Sequence, residues 1–208
     1  MATEKMKSAA RSVIFVSSFL FLWTVAVVVV WRVGALPDEW RPVFRALFWF
    51  GAVGGWLIWT RPQRPHDWLG LWPFRPSTVV LTVAAFVIVI WWNVFRTQST
   101  GGTALMPSVD VGLFWGLLGV VEEELVFRGA VQSALAGSLS AAWAISLSSG
   151  LFLAVHFPGW IVLGTLPGPE TIGSVLLIGL ACGALRYYSR SLYPAIGAHW
   201  ANNLGATL

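Results

Sequence analysis

Charged residues are scarce in this sequence. Of its 208 residues, 11% are charged and 57% are hydrophobic, whereas soluble globular domains carry about 25% charged residues. The mean hydropathy is correspondingly high, at +0.73. A soluble core cannot bury so much apolar surface, but the hydrocarbon of a bilayer can surround it. The composition therefore excludes an ordinary soluble domain and predicts an integral membrane protein.

Cysteine is nearly absent, because Cys182 is the only one in the sequence. A single cysteine excludes an internal disulfide and a cysteine-based metal cage. The net charge of +4 could indicate a nucleic-acid-binding protein, but the basic residues lie at the ends of apolar runs. That distribution is typical of membrane topology signals. We therefore expect the lipid bilayer, and no nucleic acid, as the chain's surroundings.

Long apolar stretches follow one another with only short connections, which predicts one membrane domain over residues 1–208. Helices are the expected structure, because open strands cannot satisfy their backbone groups in lipid. The predicted fold is an all-α, polytopic transmembrane bundle of about seven spans, with three N-terminal spans in residues 1–109 and the remainder in 110–208. The stretches are 10–31, 42–60, 78–95, 111–135, 139–157, 171–188 and 192–207.

The first stretch resembles a signal peptide in its basic start, but its apolar region from Val13 to Trp31 is too long for one. We expect a retained first span with a cytoplasmic N-terminus, because basic residues concentrate in cytoplasmic segments. This orientation places eight basic residues inside and four outside. The inside residues are Lys5, Lys7, Arg11, Arg61, Arg64, Arg75, Arg186 and Arg190, and the outside residues are Arg32, Arg41, Arg45 and Arg96.

The fourth stretch contains three consecutive carboxylates, Glu122, Glu123 and Glu124, followed by Arg128. Each ionisable group inside a span costs about 2.5–3.5 kcal/mol on insertion scales, so such groups usually have a function. Glu124 and Arg128 are four residues apart and lie on one helical face, where they can pair. Glu123 points about 100° away from Glu124 and needs a partner on another helix.

Two further stretches carry polar residues at a spacing of four. Phe152 and His156 share one face of the fifth stretch, and His199 and Asn203 share one face of the last. A Glu and a His together can deprotonate water, and a His with an Asn can stabilise an oxyanion. These groups are sufficient for amide hydrolysis without a covalent intermediate.

These residues resemble three motifs of the CPBP family of intramembrane proteases, which includes the type II CAAX prenyl endopeptidases and the bacterial Abi-type proteins. Residues 123–128 match its EExxxR motif, residues 152–156 its FxxxH motif, and residues 199–203 its HxxxN/D motif. The resemblance covers roughly residues 110–208, and fuller members have a further span after the last motif. It implies an endopeptidase in a membrane, here expected to be a bacterial plasma membrane, that acts on a membrane-associated and possibly prenylated peptide or protein.

The resemblance also implies a role for each matched residue. Glu123 is similar to the general base that activates water, and His156 to the residue that helps to hold this water. His199 and Asn203 resemble the pair that stabilises the oxyanion, whereas Glu124 and Arg128 resemble supporting residues. Glu122 precedes the motif and inherits no role. Because His156 lies near the predicted end of its stretch, it can meet Glu123 only if a helix is tilted, broken or differently bounded.

Two other functions remain open from the sequence. No cofactor is expected for water activated by Glu and His, but zinc could be held by His156, His199 and Glu123. No HExxH spacing supports that zinc metalloprotease. A non-enzymatic scaffold or transporter with a buried polar cluster is the third possibility, because intramembrane ionisable groups also mark ion pathways.

Overall fold

The computed structural model describes residues 2–72, 74–100 and 111–205, and the side chains of residues 10–72, 74–100 and 112–205. These residues form helices and their connections, with no strand among them, which confirms the predicted all-α class. The predicted division at residues 109 and 110 lies outside the described residues, as do the last residues of the stretch 192–207.

Ten α-helices are present within the described residues. Two of them run on directly into π-helical turns: α1 into Val28–Arg32 and α5 into Leu125–Val131. The helices are α1 (Ala2–Val27), α2 (Arg41–Thr60), α3 (Pro65–Leu69), α4 (Pro76–Ser99), α5 (Val111–Glu124), α6 (Gln132–Ala136), α7 (Ala141–Ala154), α8 (Phe157–Leu163), α9 (Pro169–Ser189) and α10 (Tyr193–Gly205).

Five segments of the described chain are long and apolar enough to cross a membrane. They are Ala10–Arg32, Asp38–Thr60, Pro76–Ser99, Ala141–Leu163 and Pro169–Ser189. The other two predicted stretches do not meet these criteria of length and apolar composition. The fourth stretch contains the three carboxylates and Arg128. The last stretch forms α10, which has only 13 residues, whereas a span needs about 20. The described residues therefore form a helical bundle with five candidate membrane spans, whereas about seven spans were predicted from the sequence.

The fifth predicted stretch continues beyond its expected end and is broken in the middle. Helix α7 stops at Ala154, and α8 begins at Phe157 and runs to Leu163. Pro158 lies in the first turn of α8, where its missing N–H breaks the hydrogen-bond ladder of a continuous helix. His156 consequently lies at the break inside the segment Ala141–Leu163 rather than near the end of a span.

The π-helical segment Leu125–Val131 is stabilised by contacts from neighbouring helices. The Phe127 carbonyl accepts hydrogen bonds from the Gln132 N–H and from the Ser148 hydroxyl at 2.8 Å. On α9, the Gly179 carbonyl accepts a bond from Arg128, and the Gly183 carbonyl accepts one from Gln132, each at 2.8 Å. Single-turn π segments often occur at functional sites, and this one directly follows Glu124.

An aromatic core joins the N-terminal helices to the C-terminal half. Trp49 of α2 is 2% exposed and packs edge-on against Phe19 of α1 and Phe127. Phe127 in turn packs edge-on against Phe152 of α7, with ring centroids 5.5 Å apart. Helix α10 completes the bundle by packing against α4, α9 and α5. The result brings α2, α5, α7 and α10 together around the carboxylates.

We expect Gly183→Leu to destabilise the bundle, because α9 approaches α7 closely at this glycine. A Cβ at Gly183 would lie 3.0 Å from Ile145 Cγ2 and 3.1 Å from Gln132 Oε1. Overpacking of this kind typically costs about 1–3 kcal/mol. Thermal unfolding in detergent or nanodiscs measures the effect. Gly173→Leu on the same helix is the control, since a Cβ there meets nothing within 4 Å; equal melting temperatures for both variants would contradict the close approach.

Candidate active site

The end of α5 and the following π-helical segment bury most of the ionisable residues of the fourth stretch. Glu124 and Arg128 are fully buried, Glu122 is 2% exposed, and the Glu123 side chain is 13% exposed. Three adjacent carboxylates cannot be buried without compensation, because their desolvation and mutual repulsion are both unfavourable. Compensation comes from three different helices.

Glu124 contacts one cation on its own helix and one histidine on α10. Its Oε2 lies 3.4 Å from Arg128 Nε, and its Oε1 lies 2.8 Å from His199 Nδ1. Arg128 also donates to the Gly179 carbonyl, and its Cζ lies 4.4 Å from the centroid of the Phe152 ring. Phe152 of the FxxxH motif therefore stabilises Arg128 of the EExxxR motif through a cation–π contact.

Glu123 has its own partners on two other helices. Its Oε1 accepts a hydrogen bond of 2.6 Å from Arg45 Nη2, and its Oε2 lies 3.6 Å from His199 Nε2. The second separation is too long for a direct hydrogen bond. His199 thus lies between Glu123 and Glu124, with one ring nitrogen facing each carboxylate.

His156 lies at the break between α7 and α8 and approaches Glu123 from there. Its Nδ1 lies 2.7 Å from the Phe152 carbonyl oxygen, which can only accept a hydrogen bond. Nδ1 therefore carries a proton, and in the neutral ring Nε2 is left as an acceptor. The His156 and His199 rings both pack edge-on against Phe152, with centroids 4.9 and 5.5 Å from its ring. Because His199 also faces Glu123, the structure brings these three predicted site residues together.

Asn203 is placed less closely than the other predicted site residues. It lies one turn beyond His199 on α10 and is exposed, whereas His199 is buried. The described residues provide no hydrogen bond to its side chain. The structure therefore places this amide one turn from His199 on α10, with no described contact that fixes its orientation.

Two residues of the cluster were missed by the sequence reasoning. Arg45 of α2 was counted as an extramembrane positive charge, and Glu122 was given no role. Arg45 Nε lies 3.1 Å from Glu122 Oε2, and Arg45 Nη2 contacts Glu123. The available signal was the position of Arg45 four residues into the apolar stretch 42–60, where an unpaired guanidinium would be unfavourable.

A cavity of about 500 Å³ opens beside Arg45 and Glu122. Helix α5 contributes Gly116 and Gly119 to its wall, and their missing side chains leave this side open. Aromatic and polar side chains form the remaining wall, including Trp31, Arg41 and Trp115. The carboxylate cluster therefore borders an open cavity on the side of Glu122.

The described residues contain no group of three or more His, Cys, Asp and Glu side chains arranged to hold a metal ion. Of the zinc ligands considered from the sequence, Glu123 contacts Arg45 through Oε1, and the Nδ1 atoms of His156 and His199 bond to the Phe152 carbonyl and to Glu124. Metal-ligating histidines usually make such a bond with the ring nitrogen that does not face the metal. These contacts are therefore compatible with either a metal-free or a zinc-dependent mechanism.

Comparison with known families finds a match, and comparison with curated proteins and with solved structures finds none. The matching family is described as type II CAAX prenyl endopeptidase Rce1-like, and its model covers residues 106–205. That range contains all three motifs, and it confirms the resemblance drawn from them. Residues 106–205 of the chain are therefore similar to the Rce1-like type II CAAX prenyl endopeptidases.

Proposed function

We propose that this protein is an intramembrane endopeptidase that hydrolyses a peptide bond in a membrane-associated substrate through water activated by Glu123. The observation that supports this most strongly is the position of His199. One of its ring nitrogens is hydrogen-bonded to Glu124, and the other faces Glu123 Oε2 at 3.6 Å. A water molecule placed beside Oε2 and Nε2 would be within reach of both groups.

Glu123 acts as the general base in this proposal. Arg45 engages Oε1, which leaves Oε2 free to accept a proton from the water. The water oxygen forms a bond to the substrate carbonyl carbon while its proton moves to Glu123. When the carbon–nitrogen bond breaks, Glu123 returns this proton to the leaving amine, so that the carboxylate is regenerated.

His199 stabilises the negative charge that develops on the substrate carbonyl oxygen. Its Nδ1–H donates to Glu124, which fixes the orientation of the ring. In this proposal its Nε2 also carries a hydrogen and donates an N–H toward the reacting centre.

His156 and Asn203 complete the proposed site. Because His156 Nδ1 donates to the Phe152 carbonyl, its Nε2 can accept a hydrogen bond from the attacking water and hold the water in place. The Asn203 amide lies one turn from His199 and would add a second donor to the oxyanion. The family description supports a CAAX-type substrate, in which case cleavage releases a short C-terminal peptide from a prenylated chain.

We expect Glu123→Gln and His199→Ala each to abolish cleavage of a prenylated CAAX-type peptide while the protein remains folded. Loss of a positioned general base usually lowers the rate by about 10²- to 10⁴-fold. Mass spectrometry of the released peptide, with melting temperatures recorded in parallel, measures both properties. His66→Ala is the matched control, because the His66 side chain is 56% exposed and pairs with its neighbour Asp67 in α3. Unchanged processing by both site variants would favour a scaffold or transporter instead.

Activity should persist in the presence of a strong chelator, because the catalytic groups act without a metal in this mechanism. The measurement combines metal analysis of the purified protein with cleavage assays before and after dialysis against chelator. Loss of cleavage that is restored by zinc alone would contradict the proposal and support the metalloprotease.

A further inference from the structure

We infer that Arg45 is a positioning residue for the general base, supplied by α2 from outside the family-matched residues 106–205. This inference rests on the proposed function of Glu123. One guanidinium reaches two adjacent carboxylates: Nε lies 3.1 Å from Glu122 Oε2, and Nη2 lies 2.6 Å from Glu123 Oε1. Helix α2 therefore contributes directly to the alignment of a site whose motifs all lie on later helices.

The guanidinium is held in place from several directions. Its Nη2 also lies 3.4 Å from the Gly119 carbonyl oxygen, and its Cζ lies 5.3 Å from the centroid of the Trp49 ring one turn further along α2. At Gly119 a Cβ would approach Arg45 Nη1 to 3.2 Å. The missing side chain of Gly119 leaves room for the guanidinium against α5, and the guanidinium lies over the Trp49 ring.

Glu122 obtains a role from this arrangement. It is 2% exposed and pairs with Arg45 Nε at 3.1 Å, on the same edge of the guanidinium as the Nη2 atom that meets Glu123. The fixed guanidinium engages Glu123 Oε1 and thereby directs Oε2 toward His199. A lysine could not reproduce this, because an ammonium is a point charge without the planar fork that meets two carboxylates.

A purely structural ion pair would make a different contribution. It would affect folding and stability, but it would not affect the chemical step in the molecules that remain folded. A positioning residue affects kcat while leaving KM nearly unchanged, because the substrate still binds but the base is misaligned. The Arg45 side chain is 31% exposed and borders the cavity of about 500 Å³, so a small cation can enter the space left by its removal.

The experiment compares Arg45→Ala, Arg45→Lys and Arg41→Ala in detergent or nanodiscs. Arg41 is the matched control, because it lies one turn earlier on α2 and borders the same cavity but pairs with the exposed Asp38. We expect kcat of Arg45→Ala to fall by about 10²-fold, with KM within a factor of about three because substrate contacts persist. Arg45→Lys should be intermediate, and Arg41→Ala should match the wild type.

Chemical rescue separates positioning from folding. Millimolar guanidinium should raise the kcat of Arg45→Ala by at least about tenfold, because the ion replaces the missing contacts. The comparison is sodium chloride at equal ionic strength. Guanidinium should not increase kcat of the wild type or of Arg41→Ala. If Arg45→Ala does not fold, Arg45→Lys replaces it as the test. A loss of kcat at constant KM in Arg45→Lys would then support the positioning role.

Three results would overturn the inference: a folded Arg45→Ala with wild-type kcat, an unrescued loss in folded protein, or an equal loss in Arg41→Ala. A wild-type protein that cleaves nothing would instead refute the proposed function. In that case, melting temperatures test whether a guanidinium group binds beside Glu122 and Glu123 at the position of Arg45. Guanidinium should stabilise Arg45→Ala but not the variant that also carries Glu122→Gln and Glu123→Gln, and equal shifts would reject the site.

Discussion

The burial of three consecutive carboxylates in one membrane helix is the constraint on which the rest of the structure depends. Each needs a positive partner, but a single helix offers only Arg128 at a suitable spacing. The remaining charge is met by Arg45 from α2 and by His199 from α10. Neutralisation therefore requires the helices to converge, and the packing of α2 and α10 against α5 follows from the same electrostatic requirement that creates the site.

Backbone geometry allows this convergence. The π-helical segment Leu125–Val131 changes the direction of the side chains that follow Glu124, and Ser148 supplies a hydrogen bond to its Phe127 carbonyl. Small residues on α9 let the carbonyls of Gly179 and Gly183 reach Arg128 and Gln132. Polar atoms that would otherwise be unsatisfied in the bundle thus stabilise an irregular backbone, which is tolerated at membrane depth only where protein surrounds it.

The sequence predicted the helical class, the membrane environment and the family resemblance, because these depend on composition and on short motifs that survive without knowledge of the packing. Glu124 and Arg128 are also predictable neighbours at a spacing of four. Arg45 was not identified, because its partners are more than 70 positions away and its place near a helix end is typical of a topology signal. A broken helix was one of three ways in which His156 could reach Glu123, but its position was not predicted. The fifth stretch was expected to end at residue 157, whereas a second helix begins there and runs to Leu163.

The most direct test is cryo-electron microscopy of the wild-type protein in lipid nanodiscs, at a resolution that shows the carboxylates. We expect one connected cluster, in which Arg45 bridges Glu122 and Glu123 and His199 lies between Glu123 and Glu124. This expectation would be contradicted by an Arg45 side chain turned into the bilayer or the cavity, with Glu123 and His199 too far apart to contact one water molecule.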